Sequence, residues 1–129
     1  MDQMAEEICL DTDVSIAILR NEPRAERLTE VIGTRQVCTT PITVFELMLR
    51  TSNLEKVAKF LDGIKILSLD NDAALKASEI SKQLKKDGKI LEFRDIFIAS
   101  ITVTNHCRLA TFNLKDFEKI KSLEILRLA

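Results

Sequence analysis

The sequence has no tryptophan, no tyrosine, one histidine, three glycines and three cysteines, and its 129 residues carry a formal net charge of -1. Each shortage excludes something. A sugar cleft needs aromatic rings beside its carboxylate pair, so the missing Trp and Tyr argue against a glycosidase. Gly33, Gly63 and Gly88 are too widely spaced for a dinucleotide fingerprint or a Walker loop. No serine stands in a nucleophile-elbow context. The lone His106 follows Asn105 at an expected helix-to-strand turn, the place of a turn residue rather than a catalyst. A near-zero net charge gives no global attraction to nucleic acid. A phosphodiester substrate would therefore need metal ions and a local basic patch.

Long apolar runs are missing too. None approaches the roughly 20 residues that cross a bilayer, and the acidic start, Met1 to Glu7, does not read as a signal or transit peptide. Cys9, Cys38 and Cys107 are isolated, odd in number and without metal-ligand spacing. They read as small buried hydrophobes in a reducing, cytoplasmic setting.

What is present is an alternation of short apolar runs and helical patterns. Strands are expected at Glu7 to Leu10, Gln36 to Thr39, Ile64 to Leu69, Cys107 to Thr111 and Leu123 to Leu128. Several are continuously apolar, as strands covered on both faces are. Helices are expected at Val14 to Arg20, with Asp11 or Thr12 as N-cap, and at Arg24 to Ile32, stopping at Gly33. A helical hairpin follows, Thr43 to Arg50 and Leu54 to Leu61, broken around Thr51-Ser52-Asn53. Asp72 to Lys86 places Ala73, Ala77, Ile80 and Leu84 on one face. Asp95 to Val103 is apolar almost all round and so central. The alternation indicates one α/β domain over residues 1–129 with a mainly parallel sheet.

Four acids lie against apolar residues that should be buried. Asp11 ends Ile8-Cys9-Leu10, and Glu46 interrupts Ile42-Thr43-Val44-Phe45-Glu46-Leu47-Met48-Leu49. Asp95 starts Asp95-Ile96-Phe97-Ile98-Ala99, and Asp116 precedes Phe117. A carboxylate beside a core is costly unless compensated. Sites in parallel sheets form beyond the carboxyl ends of the strands. In the simplest topology Asp11, Asn113 and Asp116 follow strands, Asp95 opens a helix, and Glu46 is on the first turn after Thr40-Pro41. All four acids then share one edge. Oxygen ligands without His or Cys fit Mg²⁺ or Mn²⁺ rather than zinc, and two such ions about 4 Å apart can serve phosphodiester cleavage. Taken singly, each acid reads as a cap or surface charge. Taken together they read as a metal site.

Leu10-Asp11-Thr12-Asp13-Val14, Thr43-Val44-Phe45-Glu46-Leu47, Asp95-Ile96-Phe97-Ile98-Ala99 and Leu109-Ala110-Thr111-Phe112-Asn113-Leu114-Lys115-Asp116-Phe117 occur in the order and spacing of PIN domains. Over essentially its whole length the chain resembles that family, and within it the VapC-type toxin ribonucleases. The resemblance implies a three-layer fold with a central parallel five-stranded sheet flanked by helices. It also implies Mg²⁺- or Mn²⁺-dependent endoribonuclease activity on RNA, homodimerisation, and inhibition by a cognate antitoxin lying across the acidic groove. By position, Asp11, Glu46 and Asp95 match the family's first three metal-site acids, and Thr12 and Thr111 its polar residues near the site.

Two departures stand out. Asn113 occupies a position where many PIN domains have Asp, so either its carbonyl or the carboxylate of Asp116 completes the set. The implied catalytic residues are Asp11, Glu46, Asp95 and Asp116, with Asn113 added to the metal ligands. The segment Gly88-Lys89-Ile90-Leu91-Glu92-Phe93-Arg94-Asp95 keeps its length but not the family's chemistry; Arg94 either meets phosphate or, as favoured here, pairs with Glu92. Asp13 reads as a cap or surface charge. Lys82, Lys85, Lys86 and Lys89 read as a solvated face more readily than as an RNA contact. The alternative function is a PIN-like binding or scaffold module with a weak or lost metal site. Cleavage of structured DNA would need insertions to grip a duplex, which a chain this short lacks.

Overall fold

Ile8 and Leu10 share one buried cluster with Val14, Leu28 and Ile32, while Cys9 between them belongs to another with Cys38, Leu109, Ile80 and Ile98. This alternation marks a strand buried on both faces, β1 (Glu7–Leu10). It pairs in parallel with β2 (Gln36–Thr39) on one side and β4 (Arg108–Ala110) on the other. A short β3 (Lys65–Ile66) pairs in parallel with β2. The sheet order is therefore β3-β2-β1-β4. The computed structural model describes residues 6–50 and 52–127.

Helices cover both faces. On one side are α1 (Thr12–Leu19) and α2 (Pro23–Ile32), which supply Val14, Leu28 and Ile32. On the other are α5 (Asn71–Lys86) and α6 (Phe93–Thr104), which supply Ala73, Ala77, Ile80, Leu84, Ile96, Ile98, Ala99 and Ile101. Beside them stand α3 (Pro41–Arg50) and α4 (Leu54–Asp62), where Leu47 and Val57 pack with Leu19. A single-turn α7 (Leu114–Phe117) follows β4. Among the described residues, no helix is long and apolar enough to cross a membrane.

The helix boundaries follow local chemistry. Asp11 is the N-cap of α1, its Oδ1 accepting from the Thr12 amide at 2.8 Å, so Thr12 is already helical. Asp70 caps α5 through the Ala73 amide at 2.9 Å. Pro23 opens α2, where its missing N–H leaves nothing unpaired. Gly88 ends the α5 turn at φ +67°, a left-handed conformation that glycine adopts without Cβ strain. The hairpin break lies where expected, with Asn53 capping α4 through the Lys56 amide; Thr51 is outside the described residues.

Three expectations need correction. Among the described residues the sheet has four strands, not five. The segment expected as the fifth makes a single bridge, Leu109 to Ile125, with the Leu109 amide on Glu124 and the Leu126 amide on Leu109. An apolar run suffices for burial, but a strand needs a ladder, and this segment touches β4 at one residue; Leu128, its expected end, lies outside the described residues. The strand expected over Ile64 to Leu69 shrinks to two paired residues for the same reason. Finally, α3 begins at Pro41, which moves Glu46 from the first turn to the second.

Candidate functional site

At the carboxyl end of β1 the chain turns into α1, and Asp11 sits at that corner, buried. Both of its carboxylate oxygens are held. Oδ1 accepts from the Thr12 amide, and Oδ2 accepts from the Thr111 hydroxyl at 2.7 Å, just past β4. Thr111 in turn accepts from the Asn113 amide at 3.0 Å, so one hydroxyl ties both strand exits together. The Asp11 carboxyl is pushed well above the usual carboxylate range, first by burial and then by the neighbouring Asp13, with Asp95 adding to it.

Asp13 is more than a cap. One of its oxygens accepts from the Val14 amide at 2.7 Å, and the other from the Phe112 amide at 3.2 Å. It therefore pins the first loop to the turn after β4. Burial raises its carboxyl as well.

Glu46 reaches the same edge from α3 and is buried. The Thr12 hydroxyl donates to its Oε1. The Arg94 guanidinium donates to its Oε2 at 2.9 Å and, with its other terminal nitrogen, to Glu92 at 3.1 Å. The pairing of Arg94 with Glu92 is as expected. The pairing with Glu46, forty-eight residues away, was not legible in the sequence.

Asp95 lies in the first turn of α6, half-buried. Among the described residues its carboxylate accepts no hydrogen bond. It is pushed up to about 6, chiefly by burial, then by Glu92, Asp116 and Glu46, with Arg94 opposing. Asp116, on α7, is held in the opposite sense. Asn113 Nδ2 donates to it at 3.1 Å and Lys119 Nζ at 3.2 Å, and both hold its carboxyl below the usual range. Asn113 and Asp116 are thus hydrogen-bonded to each other.

The edge therefore gathers Asp11, Glu46, Asp95 and Asp116 within electrostatic reach, Asp95 feeling each of the other three or being felt by it. Among the described residues no three His, Cys, Asp or Glu side chains are arranged as a cage for one ion. The donor chemistry nevertheless fits a hard divalent cation. Mg²⁺ keeps most of its waters and takes one or two carboxylates from the protein, and Asp95 is a half-buried carboxylate with like charges around it and no hydrogen bond of its own. His106 is exposed in a left-handed turn at φ 57° on the far side of β4. Lys82, Lys85, Lys86 and Lys89 are exposed. The cysteines are all buried, and Cys38 and Cys107 approach to 3.8 Å between sulfurs.

The PIN domain family model matches residues 8–123. The chain is 28% identical over 123 residues to the tRNA(fMet)-specific endonuclease VapC of Salmonella typhimurium, covering 90% of this chain and 93% of that one. It is 25% identical over 124 residues to ribonuclease VapC1 of Haemophilus influenzae, covering 89% and 92%. Among solved structures, DNA-bound VapBC from Salmonella typhimurium superimposes with a TM-score of 0.84 at 25% identity, covering 96% of this chain and 99% of that one.

Proposed function

The chain belongs to the PIN domain family, and from that premise we propose that it is a Mg²⁺- or Mn²⁺-dependent endoribonuclease of VapC type, the toxin of a toxin–antitoxin pair. One observation carries the reading. Asp11 and Asp95, from separate parts of the chain, lie within electrostatic reach at the carboxyl edge of the sheet, each carboxyl raised first by burial and then by neighbouring acids. Such a pair is costly in a structural role and is stabilised by a divalent cation. The names of the VapC relatives support RNA as the substrate class.

Asp11, Asp95 and Glu46 would hold the ion, directly or through its waters, with Asp116 and Asn113 completing the set. When bound, Mg²⁺ or Mn²⁺ supplies Lewis acidity to the phosphodiester and acidity to water. Thr111 and the Thr12 amide fix the Asp11 carboxylate so that it cannot rotate away, and Thr12 orients Glu46 from the same turn. Asp95, with no hydrogen-bond partner among the described residues, is free to turn toward cation or substrate. Lys119 neutralises part of the charge on Asp116 and lessens the repulsion an RNA phosphate meets there.

The same reading takes residues 1–129 as one PIN-like domain that acts in the cytoplasm as a homodimer bound by a cognate antitoxin. The VapBC complex supports such a partner. Exposed Phe45, Leu49 and Leu54 on α3 and α4 offer it apolar surface. A catalytically inert binding module is favoured by a different observation, the prior neutralisation of Glu46 by Arg94 and of Asp116 by Lys119. RNA cleavage assayed with Mg²⁺ or Mn²⁺ decides between them. Wild type should cut, chelator should stop it, and Asp95→Asn should not cut; equal cutting by both proteins, or by neither with any metal, removes the ribonuclease reading.

A further inference from the structure

Two acids at the carboxyl edge already have a cation, Asp116 with Lys119 and Glu46 with Arg94, and of these Glu46 is the buried one. Its side chain is 10% exposed, and its Oε2 faces the guanidinium of Arg94 at 2.9 Å, while Oε1 is taken by Thr12. Arg94 itself is not buried. Its side chain is 47% exposed, and its second terminal nitrogen rests on Glu92, which is 70% exposed. The guanidinium thus bridges a buried carboxylate and a surface one. Releasing Glu46 requires only one of the two contacts to break, and the other keeps the displaced side chain at the rim of the site.

We propose that Arg94 is a displaceable counter-ion for Glu46: it neutralises the buried carboxylate in the metal-free protein, competes with a divalent cation for Oε2, and is left on Glu92 alone when the cation binds. The inference rests on the metal-site reading above and adds to it a residue that sets cation affinity. The geometry distinguishes this role from that of a strut. A strut orients Glu46, so its removal weakens metal binding. A competitor covers the oxygen that a cation needs, so its removal strengthens binding. The half-exposed position favours the second role, because solvent compensates the guanidinium when it leaves, whereas a buried arginine would have no such outlet.

Mn²⁺ titration of the full chain, followed by electron paramagnetic resonance of the free ion, tests the proposal without any cleavage assay. Arg94→Gln is expected to bind Mn²⁺ about fivefold more tightly than wild type, the scale of a partly exposed ion pair. Lys115→Gln removes a cation from the same edge that, among the described residues, no hydrogen bond ties to a carboxylate; its affinity should stay within about twofold of wild type. Equal or weaker binding by Arg94→Gln overturns the proposal and leaves the metal site standing, with Arg94 as a strut. An equal gain from Lys115→Gln overturns it too, since diffuse charge would then be the cause. No Mn²⁺ binding by either wild type or Arg94→Gln removes the metal-site reading and this inference with it. Should Arg94→Gln fail to fold, Arg94→Lys, which loses the planar fork, should show a smaller gain in the same direction, and equal or weaker binding overturns the proposal.

Discussion

The two ends of the sheet treat their acids in opposite ways. At the amino ends of the strands, Glu6 meets Arg35 at 3.2 Å and Arg108 at 3.0 Å, and Glu7 meets Lys65 at 3.7 Å. The cations precede β2 or open β3 and β4, so each strand start brings its own compensation. At the carboxyl ends, Asp11, Asp13 and Asp95 crowd together, two of them within reach of no more than partial relief from Arg24 or Arg94. Surface pairs of the first kind stabilise little and do no chemistry. The second arrangement opposes folding unless a cation joins it. The contrast separates charge that serves the fold from charge held for something outside the chain.

Substitution should break this comparison most visibly in catalysis. Asp11→Asn is expected to lower the rate of RNA cleavage by about a hundredfold or more, whereas Glu6→Gln at the other end should leave it within about twofold. Comparable losses from both, measured under the same Mg²⁺ concentration, would erase the distinction between the two ends.

Acidity sharpens it next. Asp95 titrates at about 6 in the folded protein against an ordinary value near 3.8, and Asp11 is raised as well. A raised carboxyl contributes stability that is complete below its unfolded value and is lost as pH rises through the folded one. The metal-free protein should therefore melt about 2–4 °C higher at pH 5 than at pH 7.5. Asp87 and Asp116 are lowered, so their contributions are lost only below the ordinary value and do not enter this window. Asp95→Asn should raise the melting temperature at pH 7.5 and flatten the profile, and saturating Mg²⁺ should flatten it in the wild type. A melting temperature that rises with pH in the metal-free protein would count against the crowding of acids at this edge.

The smallest effect belongs to the amino end. Glu6→Gln should cost under about 1 kcal/mol in chemical denaturation and lose even that in high salt. A larger loss would mean that those pairs hold the strand starts together.

Much of this was legible along the chain. The continuous apolar run Ile8-Cys9-Leu10 announces a strand covered on both faces, and Asp11 caps the first helix as expected, while the caps Asn53 and Asp70 emerged only in the structure. The four acids could be chosen because an acid beside an apolar run breaks a local pattern. What failed were features that need a partner. Leu123 to Leu128 has the composition of a strand but finds β4 at one residue only. Asp13 has the composition of a cap but also holds the Phe112 amide, ninety-nine residues away.

By itself the sequence determined where helices begin to within about two residues and which of their faces are apolar, because those properties depend on neighbours within a turn or two. Only the tertiary structure decided which acid is compensated and which is not. Arg94 reaching Glu46 and Thr111 reaching Asp11 depend on how α1, α3, α6 and the β4 exit pack. Hydrogen bonds and ion pairs act over a few ångströms, and no spacing in the chain encodes that distance between side chains carried by different elements.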